Sequence, residues 1–136
     1  MRSVAEKMGV KAGTRTVLVR ATDDAVSAMK LPELDRAKAM WGMFGYIHLF
    51  VASGREMERE FPKAKKHLAK GGMLWVSWPK GGEVTMKDVI RIGYDHGLVE
   101  STGLSVDERW SGLKFTWPKA GKTYHNSYGK LPEAQA

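Results

Sequence analysis

The chain contains no cysteine, which excludes disulfide bridges, thiolate metal sites and a cysteine nucleophile and leaves stability to packing. It has no run of 18 apolar residues, so no segment reads as a membrane span. The start, Met1-Arg2-Ser3-Val4-Ala5-Glu6-Lys7, carries charges where a secretory leader would carry its apolar stretch. These absences predict a cytoplasmic protein with no membrane partner. His48, His67, His96 and His125 show no His-x-x-x-His spacing, so no metal site is expected. No serine stands in a Gly-x-Ser-x-Gly setting, which argues against a hydrolase elbow. Internal repeats are lacking as well.

What is present is enough for one core. A chain of 136 residues, 43% hydrophobic, matches one domain of typical size. Residues 1–118 read as that domain. Residues 119–136 are polar and rich in breakers, and read as a flexible polar tail. Twenty-two Lys and Arg against 15 Asp and Glu leave a net charge of +7, which attracts polyanions. The charge is spread along the chain, in the manner of solvated helix faces and strand flanks.

The apolar periodicity switches between two and 3.6. Ser3-Val4-Ala5-Glu6 is a capping-box pattern opening a short helix. Thr16–Arg20 reads as a first buried strand. Asp23 or Asp24 then caps a helix reaching Met29, which Leu31-Pro32 stops. Leu34, Ala37, Met40 and Trp41 fall at helical spacing, so a further short helix is expected within 33–43. Tyr46–Val51 is a second strand, and Ser53-Gly54-Arg55-Glu56 opens a helix with acids early and lysines late, as the helix dipole favours. Pro62 predicts a kink or restart in it, and Gly71-Gly72 predicts its end. Met73–Ser77 reads as a strand covered on both faces. Thr85–Asp88 begins a helix that ends at His96-Gly97. Leu113, Phe115 and Trp117 alternate with Lys114 and Thr116, one buried face of a strand, and the short connection before it fits an antiparallel pair at a sheet edge. This order predicts an α/β, Rossmann-like three-layer sandwich, its sheet of about five strands mostly parallel with an antiparallel C-terminal hairpin.

That order resembles class I S-adenosylmethionine-dependent methyltransferases. The resemblance is carried by Gly9–Val19 before the first strand, Leu68–Val76 before a late strand, and Gly97-Leu98-Val99-Glu100 entering the hairpin. Ser77-Trp78-Pro79-Lys80 with Trp110–Phe115 resembles more closely a small bacterial family of unknown function that looks like shortened, degenerate methyltransferases. The family resemblance implies a loop of the form acidic-x-Gly-x-Gly-x-Gly after the first strand, where absent side chains let the backbone approach the cofactor. Here that loop is Arg20–Val26, without glycine. Glu33 and Asp35 lie in the region of the ribose-gripping acid but follow no clear strand, and residues 21–45 are too few for two strand-helix units. The Asn-Pro-Pro-Tyr type motif is absent. These departures predict that no cofactor is held.

In open α/β sheets ligands bind beyond the carboxyl ends of the strands. The fold therefore nominates Thr22, Asp23 and Asp24 after the first strand, Ser53 after the second and Trp78 to Lys80 after the third, with Trp110, Ser111 and Lys114 closing over the same cleft. Trp78 could stack a planar ligand or pack the rim. Lys80 could meet an anion, and the two aspartates could serve as an acid-base pair or as helix caps. The expectation is a non-catalytic module that binds a protein partner or a small ligand. The alternatives are an atypical S-adenosylmethionine-dependent methyltransferase and weak nucleic-acid binding through basic surface, with Trp41, Trp78 and Trp110 as stacking platforms.

Overall fold

The computed structural model describes residues 2–126 and 129–130. In chain order the elements are α1 (Val4–Met8), β1 (Arg15–Val19), α2 (Asp23–Met29), β2 (Asp35–Arg36), β3 (Phe44–Phe50), α3 (Gly54–Lys65), β4 (Leu68–Pro79), α4 (Met86–Asp95), β5 (Val99–Ser105), β6 (Trp110–Thr116), β7 (His125–Asn126) and β8 (Gly129–Lys130). The first six strands form one sheet in the order β2-β1-β3-β4-β6-β5. β2, β1, β3 and β4 run parallel, and β6 is antiparallel to both β4 and β5. The Rossmann-like sandwich with its antiparallel hairpin is therefore present, with six strands rather than about five.

From β1 the chain first steps outward to β2 and then returns past β1 to β3. Right-handed crossovers in opposite directions place their helices on opposite faces. Residues alternate accordingly along β3. Tyr46 and Phe50 join Ala5, Met8, Ala25, Met29 and Trp75 under α1 and α2. Ile47 and Leu49 join Met57, Phe61, Val89, Ile92 and Leu113 under α3 and α4. The fit of α4 to the sheet depends on Gly93, where a Cβ would lie 2.0 Å from Phe115 Cε1.

Several local expectations change. Residues 33–43 form no helix; β2 pairs parallel with the first residues of β1. The amides of Asp35 and Ala37 donate to the carbonyls of Thr14 and Thr16, and Leu34 packs on one face while Ala37 and Met40 pack on the other. Helical spacing there is a coincidence of an edge segment serving both layers. Pro62 lies inside an unbroken α3, between the buried Phe61 and Ala64. The carbonyl deprived of its partner is that of Glu58, an exposed residue. The helix ends at Lys65, and Gly71-Gly72 falls within β4. Phe44 pairs with Leu68 but Tyr46 with Met73, so the glycines belong to a bulge. Gly71 has φ +77°, and a Cβ on Gly72 would meet the carbonyl oxygens of Ala69 at 2.9 Å and Phe44 at 3.0 Å.

Part of the presumed tail is placed. Tyr124 packs beside Tyr94 and Val99, its hydroxyl accepts from the Lys119 amide, and β7 pairs with β8. Residues 127–128 and 131–136 of the expected flexible tail lie outside the described residues. Among the described residues, no helix is long and apolar enough to cross a membrane.

Candidate functional site

The strand order reverses between β1 and β3, and in open α/β sheets the crevice beyond the carboxyl ends at such a point is the ligand position. Two residues, Arg20 and Ala21, separate the end of β1 from Thr22, the N-cap of α2. A turn that tight calls for a left-handed residue, normally glycine. Arg20 supplies it at φ 61°. Across the crevice, Ser53 caps α3, its Oγ accepting from the Glu56 amide. Glu56 Oε1 accepts from the Ala52 amide at 3.2 Å, so the carboxylate is turned back over the exit of β3. Its other oxygen meets Arg20 Nη1 at 2.7 Å. The guanidinium side chain is 51% exposed and the glutamate 16%. The crevice thus carries an ion pair reachable from solvent, and the exposed Asp23 and Asp24 add two carboxylates at its edge.

The nominated residues distribute unevenly. Thr22, Asp23 and Asp24 stand at this edge, exposed. The cap is Thr22, whose Oγ1 accepts from the Ala25 amide, and the two aspartates fill the first turn. Ser53 faces them across the crevice. Lys80 follows β4, but its ammonium is tied to the hairpin turn, 2.5 Å from Ser105 Oγ and 2.7 Å from the Asp107 carbonyl. Trp110 and Ser111 stand opposite Pro79 and Trp78, and Trp110 meets Phe50 edge-on at 5.1 Å between centroids. Two residues do not join. Trp78 is 4% exposed and belongs to the core under α3 and α4, so it is closed to ligand stacking. Lys114 lies lower on β6, opposite Trp75, with its ammonium directed at Gly9 at the end of α1. A separate groove between α3 and α4, lined by Gly54, Arg55, Glu58, Arg91, Ile92 and Asp95, includes none of the nominated residues.

Sequence reasoning missed Arg20 and Glu56. Arginine carries no mark of a left-handed turn, and the glutamate reads as an ordinary capping-box partner. It also missed a buried polar chain on β3 and β4. Tyr46 Oη lies 2.6 Å from His48 Nδ1, and His48 Nε2 lies 2.7 Å from Ser77 Oγ. All three are buried. One arrangement satisfies the chain: Ser77 donates to Nε2, Nδ1–H donates to Tyr46, and Tyr46 donates to the Met29 sulfur at 3.8 Å. Both polar partners are neutral, Phe50 stacks on the imidazole at 4.3 Å, and burial pushes the His48 pKa down to about 3. The same burial pushes the Tyr46 phenol up. The chain is sealed from solvent and holds the sheet interior rather than a substrate.

Asp35, the candidate ribose acid, does lie on a strand, but it pairs with Arg15 at the entry of β1, the end away from the crevice. The residues present therefore fit the charged amino-acid end of a ligand and do not reproduce a ribose grip.

No protein-family model and no curated protein sequence matches the chain. Solved structures do match in fold. Ribosomal protein L11 methylase from Lactobacillus delbrueckii subsp. bulgaricus superposes with a TM-score of 0.56 at 13% identity, covering 84% of this chain and 74% of that one. Magnesium protoporphyrin IX methyltransferase (ChlM) from Synechocystis PCC 6803, solved with bound SAM, gives 0.59 at 7% identity, covering 84% and 74%. Precorrin-6y C5,15-methyltransferase from Geobacter metallireducens GS-15 gives 0.58 at 12% identity, covering 84% and 85%. The chain has the class I methyltransferase-like fold, shortened. The expectation, drawn from the glycine-free loop, that no cofactor is held is corrected by these neighbours, which are methyltransferases, one of them solved with bound SAM. That expectation rested on the side chains glycine lacks; in the same loop Arg20 takes a left-handed φ of 61° and its guanidinium pairs with Glu56.

Proposed function

We propose that the protein is an atypical S-adenosylmethionine-dependent methyltransferase whose cofactor lies in the crevice between the exits of β1 and β3. The observation that carries this reading is the Arg20–Glu56 pair, 2.7 Å apart, at the switch point of a methyltransferase-like sheet. The amino-acid end of the cofactor is a zwitterion. A guanidinium binds a carboxylate through two parallel hydrogen bonds, so Arg20 takes the α-carboxylate. Glu56, held in place by the Ala52 amide, takes the α-ammonium. When bound, the cofactor supplies an electrophilic methyl group on its sulfonium. The ligand replaces one ion pair with two, and Thr22 and Ser53 position the loops by capping their helices. The likeness to methyltransferases supports this reading over a non-catalytic module.

Isothermal titration with S-adenosylhomocysteine and with methylthioadenosine, which lacks the amino-acid end, tests it. Saturable binding of the first is expected, with a loss in Arg20→Ala and Glu56→Gln. Methylthioadenosine should bind wild type and variants alike. No binding of either compound at millimolar concentration would reject the reading. Equal losses for both compounds would reject the assigned roles of Arg20 and Glu56.

A further inference from the structure

At the opposite end of the sheet, where β1 and β3 begin, a turn is held in an unusual way. Arg15 Nη2 donates to the Trp41 carbonyl at 2.7 Å and Arg15 Nε to the Met43 carbonyl at 3.1 Å. The Gly42 carbonyl between them lies 2.7 Å from His67 Nδ1. Three successive carbonyls are thus each engaged by a side chain. Gly42 is at φ +72°, and a Cβ there would come within 3.3 Å of the Arg15 guanidinium. What this rigid turn presents is apolar. Trp41 is 65% exposed and Met43 53%. Large exposed apolar side chains normally mark a binding surface only when they cluster, and two of those among the described residues share this turn.

The surroundings are cationic. The Arg15 guanidinium sits over the Trp41 ring, 4.7 Å from its centroid, and also over the buried Phe44 ring at 4.5 Å. Arg36 and Lys38 are exposed on the segment leading into the turn, and exposed Lys66 adjoins His67. Glu33 and Asp35, exposed on the same segment, are opposing charges. We propose that this turn is a stacking platform for single-stranded nucleic acid. A base lies on the Trp41 face not covered by Arg15, and phosphates meet Arg36, Lys38 and Lys66. Aromatic platforms ringed by cations bind strands without sequence preference. Two apolar side chains are too few for the core of a protein interface, which spans about 800 Å² per partner. One ring suits one base, and the net charge of +7 draws a polyanion to it.

The test uses a fluorescein-labelled uridine dodecamer and the purified full chain. Binding is expected at low salt and should fall steeply with added salt. Trp41→Ala, an exposed position whose loss leaves the core intact, should weaken binding about 5- to 150-fold, the ratio one base–aromatic stack is worth. Trp41→Phe should restore most of it. Retained affinity in Trp41→Ala, or no binding at low salt, would overturn the proposal. Equal competition by polyglutamate of matched charge would overturn it in favour of an acidic protein surface.

Discussion

Acid should weaken this fold before its carboxylates protonate, and His48 is the reason. In the folded chain its ring is buried and neutral, with a pKa pushed down to about 3. In the unfolded chain it returns to its ordinary value of about 6.5. Between those limits the unfolded state binds one proton more, so stability is fully present above about 6.5 and is lost as pH falls. The slope is about 1.4 kcal/mol per pH unit. From pH 8 to pH 5 the loss integrates to about 2 kcal/mol, a large share of the ~5–15 kcal/mol that holds a typical domain together. The assay is urea unfolding followed by tryptophan fluorescence, with wild type and His48→Gln compared at each pH. Glutamine keeps a donor and an acceptor between Tyr46 and Ser77 but does not titrate. The comparison also removes whatever pH dependence the two proteins share. The stability gap between the two proteins should shrink by about 2 kcal/mol from pH 8 to pH 5. A constant gap would refute the argument, as would an imidazole proton resonance of folded His48 that titrates near neutrality.

Two further substitutions test the packing and the backbone. Gly93→Ala adds a methyl where Phe115 Cε1 is 2.0 Å away. Despite alanine's better helix propensity it should cost about 3 kcal/mol by overpacking, read as a lowered urea midpoint; an unchanged midpoint would mean that α4 is free to lift from the sheet. Lys30, exposed and left-handed at φ 56° behind α2, should gain about 1 kcal/mol on replacement by glycine, and a loss on denaturant unfolding would contradict the conformational argument.

Local chemistry and periodicity made most of the layers legible. Ser3 with Glu6 does form a capping box and Thr85 does begin a helix, because the partners of a cap lie three residues away, whereas the box read at Ser53 is half made, Glu56 accepting from the Ala52 amide instead. The buried runs at β1, β3 and β4 are strands because apolar residues on both faces suit a sheet covered on both sides. The candidate site was only half legible. Its location followed from strand order, yet the pair that characterises it did not. Arg20 and Glu56 are 36 positions apart in a chain that names neither as special.

The chain by itself determined the order of most of its elements and the excess of positive charge, since each depends on composition or on spacing within a few residues. Tertiary structure alone decided that residues 33–43 serve an edge strand and a pinned turn, and that Gly71-Gly72 bulges a strand instead of ending a helix. It also decided that an arginine makes a glycine's turn and that Tyr46, His48 and Ser77 meet in the interior. Those outcomes depend on which backbone groups and side chains the sheet brings together across long separations, and the balance of hydrogen bonding, burial and steric fit at such meetings is not encoded in any one stretch of sequence.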